Sequence, residues 1–494
     1  MLKLNQLELA AGKRLASFLM LGAVLTGAMG SSPVLASVRA KYVDFYDFTG
    51  DNGQYTPFGA FAQAPSGKLY GALFINDSMI YNPAGKSIKV DWDQANTGNV
   101  CGYAMAVGPD GALYGTCTEY QDNSNDGGIV FRFDPSQRRN NFTVLYSFPA
   151  QNEGRTVYPS PLTLGTDGNF YGTTAGDSTN EYGTVFQITP QGSFSTIHVF
   201  QGGADDGAAP SHGGTDVGNA IGLTLGSDGN FYGTTDSGGA NGTGTVYQVT
   251  PGGNVTVIYS FNSPGICPCT GVTEANGNFY GQSFRGGTNS EGTIFEVTPG
   301  GTMTTLHNFD LSVDSAGYPS LPFTLGSDGN LYSASPSFTG GYGPESVYRI
   351  TPSGTYTDLY DGFAYPDGPG CSEAGPGCFV QSPPYQATNG RFYGVTMWGG
   401  ANEDGSVFSL TVRGADAFVR PIVSVAKPGQ WLGILGQGFT GATNVSFSGK
   451  TAAFRVKSDT YLEARVPLDA TKGRITVTTG TGDLRSNTDF SPLR

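Results

Sequence analysis

Three histidines stand in 494 residues, which limits any nucleophile–base pair of the kind used in group transfer. His212 has acidic company: the segment QGGADDGAAPSHGGTDVG carries it with Asp205, Asp206 and Asp216. That set could exchange protons or hold a ligand, and a solvated polar loop is its plainer reading. His198 and His307 occupy the place that Tyr146 and Tyr259 take in sister segments, so both read as packing residues. No GxSxG elbow supplies an activated serine. Asp122, Ser124 and Asp126 alternate along DNSNDG as the start of a calcium loop does, but Phe133 stands where the bidentate glutamate should close it. Calcium and an ordinary polar turn both fit, and no other cofactor is evident. Trp398, in a variable loop with Glu403 and Asp404 nearby, is the preferred binding candidate, because an aromatic ring can stack on a sugar ring. Six cysteines are an even set. Cys101 and Cys117 flank the Pro109-Asp110-Gly111 turn at nearly matched distances, which sets them on adjacent strands as a disulfide. Cys371 and Cys378 bracket SEAGPG and could close that loop, whereas Cys267-Pro268-Cys269 reads either as a strained local bridge or as free thiols.

These residues need elements to hold them, and the chain supplies those by repetition. SGKLYG, PDGALYG, TDGNFYG, SDGNFYG, ANGNFYG, SDGNLYS and TNGRFYG recur, aligning Tyr70, Tyr114, Tyr171, Tyr232, Tyr280, Tyr332 and Tyr393. The fullest unit, IGLTLGSDGNFYGTTDSGGANGTGTVYQVTPGGNVTVIYSF, divides into four alternating strands. Asp228-Gly229 marks one tight turn, Pro251-Gly252-Gly253 another, and DSGGANGTG is the long loop between the middle strands. Tight and long connections therefore fall at opposite ends of each unit. The seventh unit stops after its third strand, Gly405–Leu410, while Lys41–Phe48 has the spelling of a fourth strand with nothing before it. The expected fold is all-β: a seven-bladed β-propeller over 41–412, closed by that N-terminal strand, with an open solenoid as the rival.

Composition bounds the rest. Glycine, at 76 residues, is about double ordinary usage and lacks the three-residue period of collagen. Residues 1–36 read as a signal peptide: Lys3, Lys13 and Arg14 precede LASFLMLGAVLTGAMG, and Val34-Leu35-Ala36 offers a cleavage site. An uncleaved anchor is the alternative, and no second apolar run follows, so no transmembrane segment is expected after cleavage. Removing 1–36 leaves 23 Lys+Arg against 39 Asp+Glu, a balance of −16. Such a charge disfavours nucleic acid and anionic membranes as partners.

The phrase DGNFYGTT…GTVF, followed by ITP and a glycine, resembles the repeat of exported bacterial proteins called choice-of-anchor GloVer tandem-repeat proteins. The resemblance covers roughly 41–412 and implies export and repetitive β-architecture, with no catalytic residues to carry over. After a linker at 413–418, residues 419–494 change style. Ile434-Leu435-Gly436-Gln437-Gly438-Phe439, Val445–Gly449 and Ala464-Arg465-Val466-Pro467 resemble an IPT/TIG immunoglobulin-like domain, which implies a small β-sandwich acting as spacer, adhesion or carbohydrate-contact module. The leading expectation is thus a secreted or cell-surface, non-catalytic binding or structural protein that contacts an extracellular glycan or envelope protein through the variable loops. The competing one is a propeller glycosidase or polysaccharide lyase using loop carboxylates, tyrosine and His212. Oligomeric state is not legible.

Overall fold

A computed structural model describes residues 40–493 apart from 49–56, 74–77, 84–86, 92–98, 102–104, 120–127, 138–140, 150–158, 176–181, 211–221, 263–267, 269, 336–344, 362–377, 381 and 399–404. The expected signal at 1–36 lies outside the described residues. Residues 38–494 form one unit. Among the described residues no helix is long and apolar enough to cross a membrane.

Each of the seven tyrosine phrases becomes the second strand of an antiparallel sheet. In the fourth sheet Thr224–Leu225, Phe231–Thr235, Thr245–Val249 and Val255–Ser260 pair in that order. Gly229 turns the first hairpin at φ 87°, a conformation that costs a residue with a Cβ. The glycine of the phrase answers a different need. A Cβ on Gly172 would lie 2.5 Å from Cζ of Phe186, so the bare backbone lets the third strand lay its ring across the second. Six of these sheets also skip one residue in the outer strand at a matching place, at Phe45, Leu145, Ile197, Ile258, Leu306 and Leu359. Such a bulge strengthens the local twist.

Seven sheets of this kind follow one another among the described residues. In the last, Cys378–Val380 and Tyr385–Gln386 both pair with Phe392–Trp398, which pairs with Ser406–Thr411. Beyond it lies Lys41–Asp47, antiparallel, with Lys41 opposite Thr411 and Asp47 opposite Ser406.

Neighbouring sheets are joined by the repeated tyrosines. Tyr114 stacks on Phe170 and Tyr232 on Phe279, while Tyr171 meets Phe231 and Tyr332 meets Phe392 at a tilt, with ring centroids 3.8–4.2 Å apart. Where the next sheet has leucine, the same contact is aliphatic: Tyr70 clusters with Leu113, Tyr280 with Leu331 and Tyr393 with Leu69. That last cluster joins the seventh sheet to the first. Burying each of these side chains is worth about 1.5–3 kcal/mol, with about 0.5–1.5 more for each aromatic pair. Polar bonds follow the same step. Glu274 accepts from the Ser227 N–H at 2.7 Å, Gln386 from the Ser327 N–H at 2.8 Å, and Gln63 from the Thr388 N–H at 3.0 Å, each reaching back one sheet, from the first to the seventh in the last case.

The C-terminal module is two sheets around one core. Arg420–Pro421, Trp431–Leu435, Tyr461–Arg465 and Phe454–Ser458 form one, while Val425–Ala426, Gly482–Pro492, Gly473–Thr479, Asn444–Phe447 and Lys450–Thr451 form the other. Leu432, Ile434 and Leu462 from the first meet Val445, Phe447, Ile475 and Phe490 from the second. A single 3-10 turn, Phe439–Gly441, is the helical exception among the described residues. The stretch 413–418, expected as a linker, is packed: Ala415 and Phe418 are buried, and the Phe418 N–H donates to the Thr388 carbonyl at 3.1 Å.

Candidate functional site

An antiparallel four-strand unit puts its first and third connections at one end and its long loops at the other. At the turn end the chemistry-bearing side chains bond one another. Asp228 accepts the Asn230 N–H at 3.0 Å with one oxygen; the other accepts the Tyr232 hydroxyl at 2.8 Å and Gln248 Nε2 at 3.1 Å. Gln248 also donates to the Tyr232 oxygen at 2.7 Å. Asp167, Tyr171 and Gln187 repeat the arrangement in the third sheet. Asp110 and Tyr114 repeat it with Arg132 as the donor at 2.8 Å, while Asp328 accepts from Tyr332 and has Arg349 as an ion-pair partner at 3.8 Å. In the fifth sheet the turn residue is Asn276, and the carboxylate moves to the third strand: Glu296 accepts from Tyr280 at 2.9 Å. Burial, joined by the Asp110 charge, pushes the Tyr114 hydroxyl up to about 12, and burial raises Tyr171, Tyr232, Tyr280 and Tyr332 as well. These phenols stay protonated and serve as fasteners, not as bases.

The C-terminal module sits on this turn end. The Thr460 hydroxyl donates to the Pro65 carbonyl at 2.6 Å, and Asn487 Nδ2 to the Leu325 carbonyl at 3.1 Å. Gln437 Nε2 donates to the Thr388 hydroxyl at 2.9 Å, and Arg420 to the Gln386 carbonyl at 2.7 Å and to the Tyr385 hydroxyl. Ile422 and Val423 pack on the cluster containing Leu164, and Leu493 lies over Gly229. The first, third, fourth, sixth and seventh sheets are all touched.

The loop end is built differently. The N–H of Phe48, Phe148, Phe200, Phe261 or Phe309, at the end of an outer strand, donates to the carbonyl of Gly405, Gly128, Gly183, Gly244 or Gly292 at 2.9–3.1 Å. Asn241 and Asn289 in turn bond the carbonyls of Phe261 and Phe309, both at 3.0 Å. His198 Nε2 lies 3.3 Å from Asp206, which also accepts the Gln201 and Gly207 N–H groups at 2.9 Å. His307 Nε2 lies 2.8 Å from Asp314, with Phe309 edge-on and Tyr356 stacked at 4.3 Å. Each imidazole is thus held at one nitrogen by a loop aspartate and packed against rings. Among the described residues neither bonds to a hydroxyl or thiol that it could activate.

Asp206 is therefore brought to His198, and Asp205 beside it is exposed. His212, Asp216, Glu403, Asp404, Asp122, Ser124 and Asp126 lie outside the described residues, as do Cys267, Cys269 and Cys371. Trp398, expected in a loop, is the last residue of the strand Phe392–Trp398, opposite Cys378. Cys101 stands directly opposite Cys117 on paired strands, and Cys117 is buried. Among the described residues no group of three or more His, Cys, Asp or Glu could hold a metal ion. Sequence reasoning missed the third-strand partners of the Asp–Tyr pairs. Their signal was present as the polar third residue of VFRF, VFQI, VYQV, IFEV and VYRI, the position that registers opposite each tyrosine.

The Gloeobacter/Verrucomicrobia repeat model matches residues 45–225 and 211–375. No curated protein matches the chain. Among solved structures, prolyl endopeptidases match at 13% identity and a TM-score of 0.38, over 62% of this chain and 42% of theirs. A puromycin hydrolase S511A mutant matches at 14% and 0.42, over 74% of this chain and 52% of its own. The chain thus spans about half the length of these two neighbours. An oligogalacturonate lyase in complex with manganese matches at 12% and 0.45, over 76% and 98%. At these identities the neighbours' activities do not carry over.

Proposed function

We propose, for a chain that belongs to the Gloeobacter/Verrucomicrobia repeat family, a non-catalytic binding or structural role outside the cell or on its surface. On this reading the seven sheets are blades of a β-propeller, with Lys41–Asp47 supplying the outer strand of the seventh, and the C-terminal module is an IPT/TIG-type sandwich. Tyr393 on Leu69 and Gln63 on Thr388 favour that ring, since both repeat between the seventh and first sheets the contacts made between successive ones. Export is consistent with a Cys101–Cys117 disulfide, which the register allows.

One observation carries the functional reading: the module covers the turn end, whose carboxylates are engaged, which leaves the loop end for recognition. Loops that differ between copies on a rigid scaffold are where recognition is placed. The partner is an extracellular glycan or envelope protein, with Trp398 as the first contact to test. Purified protein is to be screened against a glycan panel and surface-protein extracts. Trp398→Ala should weaken the captured interaction at least tenfold without lowering the unfolding midpoint. Failure to capture any ligand, or release of sugar products from polysaccharide, would sink the proposal.

A further inference from the structure

Residues 413–494 carry 11 Lys+Arg and 6 Asp+Glu, whereas 37–412 carry 12 and 33. A module of net +5 is thus mounted on a body of net −21. Two of its arginines flank one aromatic. Leu432 and Ile434 point into the core, so strand alternation turns Trp431 outward, where it is 39% exposed. Arg465, exposed, is its directly opposite neighbour, and Arg455 lies with Cζ 4.2 Å over the indole. Neither guanidinium has a carboxylate partner among the described residues. Arg465 Nε donates to the Gly429 carbonyl at 2.9 Å, and the nearby Glu463 is engaged by Lys457 at 3.1 Å. Beside them a cleft of about 140 Å³ opens between the module and the turn end, lined by Gln430, Trp431, Glu463, Pro109 and Thr166.

We propose that this face is a second binding site, for an acidic polysaccharide, with Arg455 and Arg465 taking sugar carboxylates and Trp431 stacking on a ring. Guanidinium forks match carboxylate geometry, and an indole offers a rigid apolar plane with little ordering cost. The cleft is well below the roughly 300 Å³ of a drug-sized pocket and suits one sugar residue. Charge density selects the polymer. Duplex DNA presents a charge about every 1.7 Å and would be repelled by the body, while a polyuronate carries one charge per ring.

The test uses the full chain and isothermal titration with alginate, neutral dextran, duplex DNA and anionic phospholipid vesicles. Alginate should bind, more weakly as salt rises, and dextran should not. Trp431→Ala and the double change Arg455→Gln/Arg465→Gln should each weaken alginate binding at least tenfold. Lys472→Gln, an exposed charge elsewhere on the module, should change it less than twofold. Arg455→Lys/Arg465→Lys keeps the charge and the fold but loses the forks, and should still weaken binding severalfold. Trp398→Ala should leave alginate binding intact, which separates this site from the loop end. Equal binding to dextran, tighter binding to DNA or vesicles, or wild-type alginate affinity in the double variants would overturn the proposal.

Discussion

Tyr247 and Tyr348 hold the same place in the third strands of the fourth and sixth sheets, where other sheets have Phe131, Phe186, Phe295 or Phe408. Both are fully buried, but the Tyr247 hydroxyl has no hydrogen-bond partner among the described residues, whereas Tyr348 donates to Gln282, which bonds Leu321 and Ser333. Tyr247→Phe should therefore be neutral or stabilising by up to about 1–2 kcal/mol, and Tyr348→Phe destabilising by about 1–3 kcal/mol, because it strands a buried acceptor. Urea titration of the two variants checks this; equal effects would refute the assignment. The fifth sheet supplies a second test, since it places its carboxylate at Glu296 instead of on the turn. Asp228→Asn should cost about 1 kcal/mol, and adding Gln248→Glu should recover most of it. Little of this was legible in the sequence. The DG pairs read as turn formers, and only the register shows that their free oxygens face Tyr and Gln. His198 and His307 were legible as packing residues, but not their aspartates, which arrive from loops of no fixed length.

Strands are where the sequence speaks most clearly, because a period of two and glycine punctuation survive in every copy. The all-β character and the repeat are plain for that reason, and so is the Gloeobacter/Verrucomicrobia relationship. Spelling fails at the loops, where copies diverge: Trp398 reads as a residue of the seventh unit's variable loop but ends a strand. Lys41–Asp47 and Phe48 give a test at this scale. Phe48 is buried and donates to Gly405 as Phe261 does to Gly244. Deleting residues 41–48 should uncover Ser406–Thr411 and lower both the unfolding midpoint and its steepness, while Phe48→Ala alone should cost about 3–5 kcal/mol. An unchanged thermal transition would show that the strand contributes nothing.

For the whole molecule, the position of the C-terminal module is the property least visible in the chain. Style and composition separate it from the repeats, yet several of the groups that hold it are backbone carbonyls, at Pro65, Leu325 and Gln386, that no side-chain pattern advertises. Truncation after residue 412 should lower repeat stability by about 2–5 kcal/mol, from several hydrogen bonds worth about 0.5–1.5 each, and speed proteolysis near 385–390. Alkali should act on the repeats as a unit. Their tyrosines have raised pKa values, so the stability they give is complete below pH 10 and is lost at higher pH, in the case of Tyr114 as pH climbs through about 12. Absorbance at 295 nm should rise together with loss of circular dichroism, not ahead of it. The strand Lys41–Asp47 finally sets an order of events. It is translated before the repeats, yet Ser406–Thr411, the edge it lies against, is made only after all the other repeats. Closing so long a loop adds little to the equilibrium cost, about 0.6 kcal/mol per doubling, but it delays the contact. A ribosome that stalls inside the last repeat would release a chain whose earliest ribbon has nowhere to dock.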